Sequence, residues 1–361
     1  MQRFPATRLL ASVLAGIPWP SVDIGPGFGF HGNELPHRLP WNGVANMSNQ
    51  APDSRSIRSE ANRPAKPCIK ATPTRDTEVG GGFTIRRALP HRARRMVGAW
   101  CFLDHFGPLD ISAGEGLRVG PHPHIGLQTV TWLLEGEVLH RDSLGSLQAI
   151  RPGQLNLMTA GRGIAHSEES PEGAPADLHG VQFWLALPDS HRHIEPDFEH
   201  YPEVPLIVRD EMQIRLLVGE HAGVCAPARV HSPLVGLDVS LDAGRHVLPL
   251  NQAFEHAILV VEGEMSGEGG PMHPGTLYYL GSGRDHLSVE SSEPARFLLL
   301  GGEPFAESIV LWWNFVARNA AEIRQAKEEW QAASSRFGDV VGYPGPRLQA
   351  PELRARLKTG R

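Results

Sequence analysis

The chain has 361 residues, enough for two domains that each bury a core without disulfides or a structural metal. A formal net charge of −6 leaves no electrostatic footprint for direct binding to nucleic acid or to an acidic membrane surface. Cys68, Cys101 and Cys225 are odd in number, far apart and without CxxC spacing, which argues against a disulfide framework and for a reducing, cytoplasmic setting.

Residues 1–46 carry Arg3 and Arg8 ahead of the apolar run Leu9 to Ile17, superficially the form of a secretory signal. The rest of that stretch is Pro/Gly-rich, and Met47 opens a polar segment in the manner of an ordinary start. The preferred reading is an N-terminal extension over 1–66 that is disordered or, up to Met47, not part of the natural product. No apolar run reaches the ~18–20 residues that span a bilayer, so no membrane role is expected.

From Phe83 onward short β-type runs alternate with turn signals: FTIRRALP, MVGAWCFLDHFGP, LQTVTWLLEGE, SLQAIRPGQLNLMTAGRG and HGVQFWLALP. A weaker second copy comes after them in the same order. LLEGE (Leu133 to Glu137) recurs as VVEGE (Val260 to Glu264), RPGQL (Arg151 to Leu155) as HPGTL (His273 to Leu277), and GRGIAH (Gly161 to His166) as GSGRDH (Gly281 to His286). The expected class is all-β: two tandem antiparallel barrels, 67–195 and 205–345, joined through the Pro-, Asp- and His-rich stretch PDSHRHIEPDFEHYPEVP. Trp312, Val316, Ala320, Ile323, Ala326, Trp330, Ala333 and Phe337 recur every three or four residues, which predicts an amphipathic helix over about 305–337, ending at Gly338 and packed on the outside of a barrel.

In GPHPHIGLQTVTWLL, His122, His124 and Gln128 share parity along one predicted strand and so one face. A later strand supplies His166 and Glu168, again two apart. Three imidazoles and a carboxylate converging inside an apolar barrel would be costly to bury unpaired, and a divalent cation satisfies all four. A His3Glu set leaves open positions on a six-coordinate ion, which argues for a catalytic or ligand-binding centre. Imidazole and carboxylate donors suit Fe(II), and leave Mn, Ni, Co, Cu and Zn open. The same parity places Val130, Trp132, Leu134, Leu155, Leu157 and Phe183 as apolar walls for a flat aromatic molecule.

The segments GPHPHIGLQTVTWLLEGEVLHRDS, PGQLNLMTAGRGIAHSEE and EPFAESIVLWWNFVARNAAEI resemble the pirin family of bicupins, from about residue 68 to about 345. The resemblance implies two tandem cupin, jelly-roll-type barrels. It also implies a mononuclear non-haem iron site in the first, with ligands carried onto His122, His124, His166 and Glu168, and a second barrel lacking metal. In the second copy the counterparts of His122, His124 and Glu168 are Pro249, Asn251 and Ser288, and only His286 survives. Gln128 stands where the family often has glutamate and is expected to support the site from behind, orienting Glu168 or donating to a bound oxygen.

Some members of the family resemble quercetin 2,3-dioxygenases, which open a flavonol ring with O2 and release carbon monoxide. That activity, with Glu168 as ligand and base, is the expected function. The alternative is a non-catalytic regulator whose metal state tunes binding to a protein partner. A zinc or manganese cupin hydrolase or isomerase stands third.

Overall fold

The computed structural model describes residues 57–59, 68–79, 83–112 and 116–353. The proposed start at Met47 and the signal-like run lie outside the described residues.

Alternating apolar runs fold into two double-sheet β-barrels, each a larger sheet facing a smaller one. In the first, a seven-stranded sheet runs in the order Asp197–Tyr201, Leu155–Thr159, Leu127–Glu135, Asp177–Ala186, Trp100–Asp110, Phe83–Leu89 and Arg75–Val79. The four-stranded sheet is ordered Arg118–His124, Ile164–Glu169, Val138–Asp142 and Leu147–Ile150. The second barrel repeats the plan: a large sheet built around Met212–His221, Leu234–Leu241, Ala295–Gly302, Glu255–Glu262 and Thr276–Ser282, with a small sheet of Gly244–Pro249, His286–Ser291, Met265–Gly267 and Gly270–Met272.

The two large sheets pack on each other through one continuous apolar layer. Val130, Trp132, Leu155, Leu157 and Phe183 from the first share it with Val218, Ala257, Leu259, Leu298 and Leu300 from the second. Burying side chains of this size contributes about 1.5–3 kcal/mol each. Polar groups within the layer are paired: Trp132 Nε1 donates to Asp238 at 3.0 Å, and Arg296 donates to both oxygens of the same carboxylate at 2.8 and 2.6 Å. This layer corrects the expected walls of the site. Val130, Trp132, Leu134, Leu155, Leu157 and Phe183 belong to the joint between barrels. A sheet covered on both faces is apolar on both, so parity does not distinguish inside from interface.

The ends of the described chain cross over. Lys70–Pro73 pairs with Thr276–Ser282 and so completes the second barrel's large sheet. Residues 57–59 form a strand against Ile309–Trp312, where a disordered leader was expected. Ile309–Trp312 and Phe315–Ala317 make a hairpin, succeeded by a helix over Ala320–Gln331. Trp312, Phe315, Ile323, Ala326, Trp330 and Phe337 pack into the apolar cluster of the first barrel, not the second.

The helix is thus shorter than predicted. Trp312 and Val316 lie in the hairpin, whose Trp313 adopts φ 52°, and the helix stops at Ala332, before the left-handed Ala333 at φ 52°. Residues 309–317 are buried on all sides, so their apolar spacing mimicked a helical stripe. Asn319 caps the helix, its Oδ1 accepting the N–H groups of Ala321 and Glu322 at 3.0 and 3.1 Å.

Among the described residues no helix is long and apolar enough to cross a membrane.

Candidate metal centre

The chain leaves strand Arg118–His124 and enters Leu127–Glu135 through Ile125 and Gly126, moving from the small sheet to the large one. Gly126 makes this step with φ +69°, where a Cβ would stand 2.1 Å from the Val316 carbonyl oxygen. The break separates Gln128 from His122 and His124, which were expected on one strand. The Gln128 amide donates to Thr159 Oγ1 and to the Arg229 carbonyl, both at 2.9 Å, tying the first barrel to a loop of the second. Neither bond reaches Glu168.

His122 and His166 are direct partners across two antiparallel strands, and His124 stands opposite Ile164. A bulge between His166 and Glu168 shifts the register against Arg118–His124. Strand Val138–Asp142 flanks the other side, with His140 opposite Glu168 and Asp142 opposite His166. The small sheet therefore presents His122, His124, His166, Glu168 and His140 together, all at most 5% exposed.

Two triads bring their donor atoms within 4.8 Å: His122, His124 and His166, and a second formed by His140, His166 and Glu168. The four residues expected as one set thus divide into overlapping triads that share His166. His124 Nε2 lies 3.0 Å from His166 Nε2. That is the separation of two adjacent donors on a six-coordinate ion with bonds of about 2.1 Å. The Nδ1 of His122 lies 2.9 Å from the Gly120 carbonyl and donates to it, leaving Nε2 bare for a ligand role. This cluster of histidine and glutamate side chains can bind a metal ion.

Burial drives the electrostatics. It lowers His122 to about 4 and holds His124 and His166 well below the ordinary imidazole value, with neighbouring imidazoles adding to the effect. The three rings are neutral at pH 7 and offer lone pairs. Burial pushes the Glu168 carboxyl up to about 7, opposed by a hydrogen bond from the Thr131 hydroxyl.

Aromatic rings fix the imidazoles. Trp184 meets His124 edge to face at 5.2 Å and stacks on Phe102 at 3.9 Å; Phe198 stacks on His140 at 4.3 Å. With Thr131 and Gln182, these side chains take the inward places that strand parity assigned to the residues of the barrel joint. His140 and Asp142 were missed. Their signal was the alternation in VLHRD, where Val138, His140 and Asp142 are buried and Leu139 and Arg141 are not fully so.

The second barrel reproduces the backbone without the donors: Pro249 pairs with His286 across strands as His122 pairs with His166. His286 is exposed and bonded to Asp285 at 2.6 Å.

The Pirin family model matches residues 82–185, and the model described as Pirin C-terminal cupin domain matches 236–338. The chain belongs to the pirin family. It is 49% identical over 287 residues to a Pseudomonas aeruginosa protein named "Putative quercetin 2,3-dioxygenase", covering 79% of this chain and 90% of the relative. Human pirin is 31% identical over 279 residues, 73% of this chain and 92% of that pirin. A crystal structure titled as quercetin 2,3-dioxygenase from Acinetobacter baumannii superposes with a TM-score of 0.78 at 46% identity, covering 80% of this chain and 97% of that one. The two-cupin pirin architecture, with its helix outside the first barrel, is therefore the frame for any function.

Proposed function

We propose that the protein is a mononuclear non-haem iron dioxygenase of the quercetin 2,3-dioxygenase type, with Fe(II) held by His122, His124, His166 and Glu168. The observation that carries this reading is the buried donor cluster itself: His122, His124 and His166 bring ligand atoms within 4.8 Å of one another, and Glu168 joins His166 in the adjoining triad. Names shared by the Pseudomonas and Acinetobacter relatives support the substrate class, a flavonol with O2.

The ion, when bound, supplies Lewis acidity toward the flavonol oxygen and electron transfer to O2. The chain's own residues do the rest. His122, held by the Gly120 carbonyl, presents Nε2 inward, and Trp184 holds the His124 ring. Glu168, whose proton a bound metal would displace, offers a carboxylate oxygen to the proton of the flavonol 3-hydroxyl. The Thr131 hydroxyl, which donates to Gln182 Oε1 at 3.0 Å, can turn its one proton to the charge that results. Apolar and aromatic neighbours exclude competing water.

A second reading, a metal-dependent regulator acting through a protein partner, draws on the depth of the site. His122, His124, His166 and Glu168 are only 3%, 1%, 1% and 5% exposed, which leaves little of the ligand set open to a flavonol.

The deciding measurement is O2 uptake and carbon monoxide release from quercetin by anaerobically Fe(II)-loaded protein, with His122→Ala as control. Turnover abolished by the substitution supports the dioxygenase. Iron-loaded protein without turnover transfers the case to the regulator.

A further inference from the structure

The second barrel has a cavity of its own. It measures about 810 Å3, within the usual range for small-molecule sites, and opens where Pro249 and Asn251 replace the two first histidines of the other barrel. Leu234, Leu250, Phe254 and Leu299 give it apolar walls.

One lining side chain is out of keeping with those walls. His256 is fully buried, and neither ring nitrogen has a hydrogen-bond partner. Its ring edge lies over Gly301, where any Cβ would come within 2.6 Å of Cδ2, so a glycine makes room for it. A buried imidazole with two unpaired nitrogens costs free energy that a ligand group can recover. Burial, reinforced by His221, lowers His256 to about 4, and the neutral ring offers one donor and one acceptor.

The charge inventory narrows the ligand. Arg229, a cation at the rim, is engaged by Asp197 at 2.7 Å and Glu199 at 2.9 Å, and Glu220 adds a carboxylate. An anion finds no available partner there. A metal is not favoured either, since His221, Cys225 and His256 form no triad with donor atoms in coordinating range.

We propose that this cavity binds a small neutral phenol, its aromatic ring among Leu234, Leu250, Phe254 and Leu299 and its hydroxyl paired with His256. A hydroxyl can donate to the bare nitrogen of a neutral imidazole or accept from the protonated one, so it pairs with whichever of the two faces the cavity; the walls take the ring. The site is separate from the imidazole cluster of the first barrel and needs no metal. Its rim carries Cys225, an exposed free thiol that reports occupancy.

The test is calorimetric titration of the full chain, stripped of metal with a chelator, using 2-naphthol as probe and naphthalene and 2-naphthoate as comparators. One equivalent of 2-naphthol binds, at least tenfold more tightly than either comparator, and His122→Ala leaves binding unchanged. His256→Leu weakens it at least tenfold, and Val230→Trp, which fills the rim, abolishes it. On the unmodified protein, bound 2-naphthol slows alkylation of Cys225 by N-ethylmaleimide, so the site is located even where a variant folds poorly. Unaltered Cys225 alkylation, equal binding of naphthalene, loss of binding in His122→Ala or no saturable binding would each overturn the proposal.

Discussion

The Nδ1 atoms of His166 and His140 lie 3.3 Å apart, and His140 Nε2 lies 3.1 Å from an Asp142 carboxylate oxygen. Asp142 accepts, so His140 carries its proton on Nε2 and leaves Nδ1 bare. His166 then donates from Nδ1 and keeps Nε2 free, facing His124. Asp142 is itself anchored by the N–H groups of Leu144 and Ser146 at 2.9 and 3.0 Å. The chain from carboxylate through two imidazoles sets the tautomer of a candidate ligand. Asp142→Asn lets an amide donate to His140 instead and reverses the sequence of protons. Metal affinity is expected to fall about 10- to 100-fold, measured by chelator competition, while the fold persists.

The pH dependence of metal binding is set by Glu168. Its carboxyl ordinarily titrates near 4.5 and in the metal-free fold near 7. Between those values the fold holds a proton that the unfolded chain has shed, so metal-free stability falls as pH rises from about 4.5 to 7. Metal binding displaces that proton, whereas His122 is neutral down to about 4. Apparent affinity is expected to fall about tenfold per pH unit below 7 and to level off above it. Competition titrations from pH 5 to 8 check this, and Glu168→Gln flattens the slope.

Trp330 fastens the C-terminal helix to the first barrel. It is buried, meets Phe337 edge to face at 5.6 Å, and donates from Nε1 to the Leu348 carbonyl at 2.9 Å. Trp330→Ala should cost about 3–5 kcal/mol in urea unfolding. Asn319→Ala, which removes the cap, should cost about 1 kcal/mol.

Gly126 permits the step between sheets. Gly126→Ala forces a side chain into a left-handed conformation, at about 1–2 kcal/mol, and onto the Val316 carbonyl. Because the next side chain but one upstream is His124, metal affinity should fall along with thermal stability. Calorimetry and chelator competition on the same preparation test both.

His122 and His124 were legible as a pair because HxH on a strand turns both to one face, whereas the bulge between His166 and Glu168 and the change of sheet at Gly126 lie where parity cannot be followed from sequence. Pairing of His122 with His166, and of Pro249 with His286, reproduces the internal repeat position by position. His140 escaped because one histidine in an alternating strand is ordinarily structural, and its partners come from strands distant in sequence. Walls such as Trp132 and Phe183 were placed on the wrong face since neither face of their sheet meets water. The helix was drawn too long because a doubly covered hairpin has apolar residues at nearly every position. Nothing local in Lys70–Pro73 marks it as a strand of the other barrel.

That exchange of end segments has a consequence for the chain as a whole. The second barrel borrows its edge strand from ahead of the first, and the first is roofed by the hairpin and helix that lie beyond the second. Cutting the linker would yield two half-molecules, each missing a piece held by its counterpart. The two copies visible in the sequence are thus interlocked: each barrel is completed by a segment that lies beyond the other along the chain.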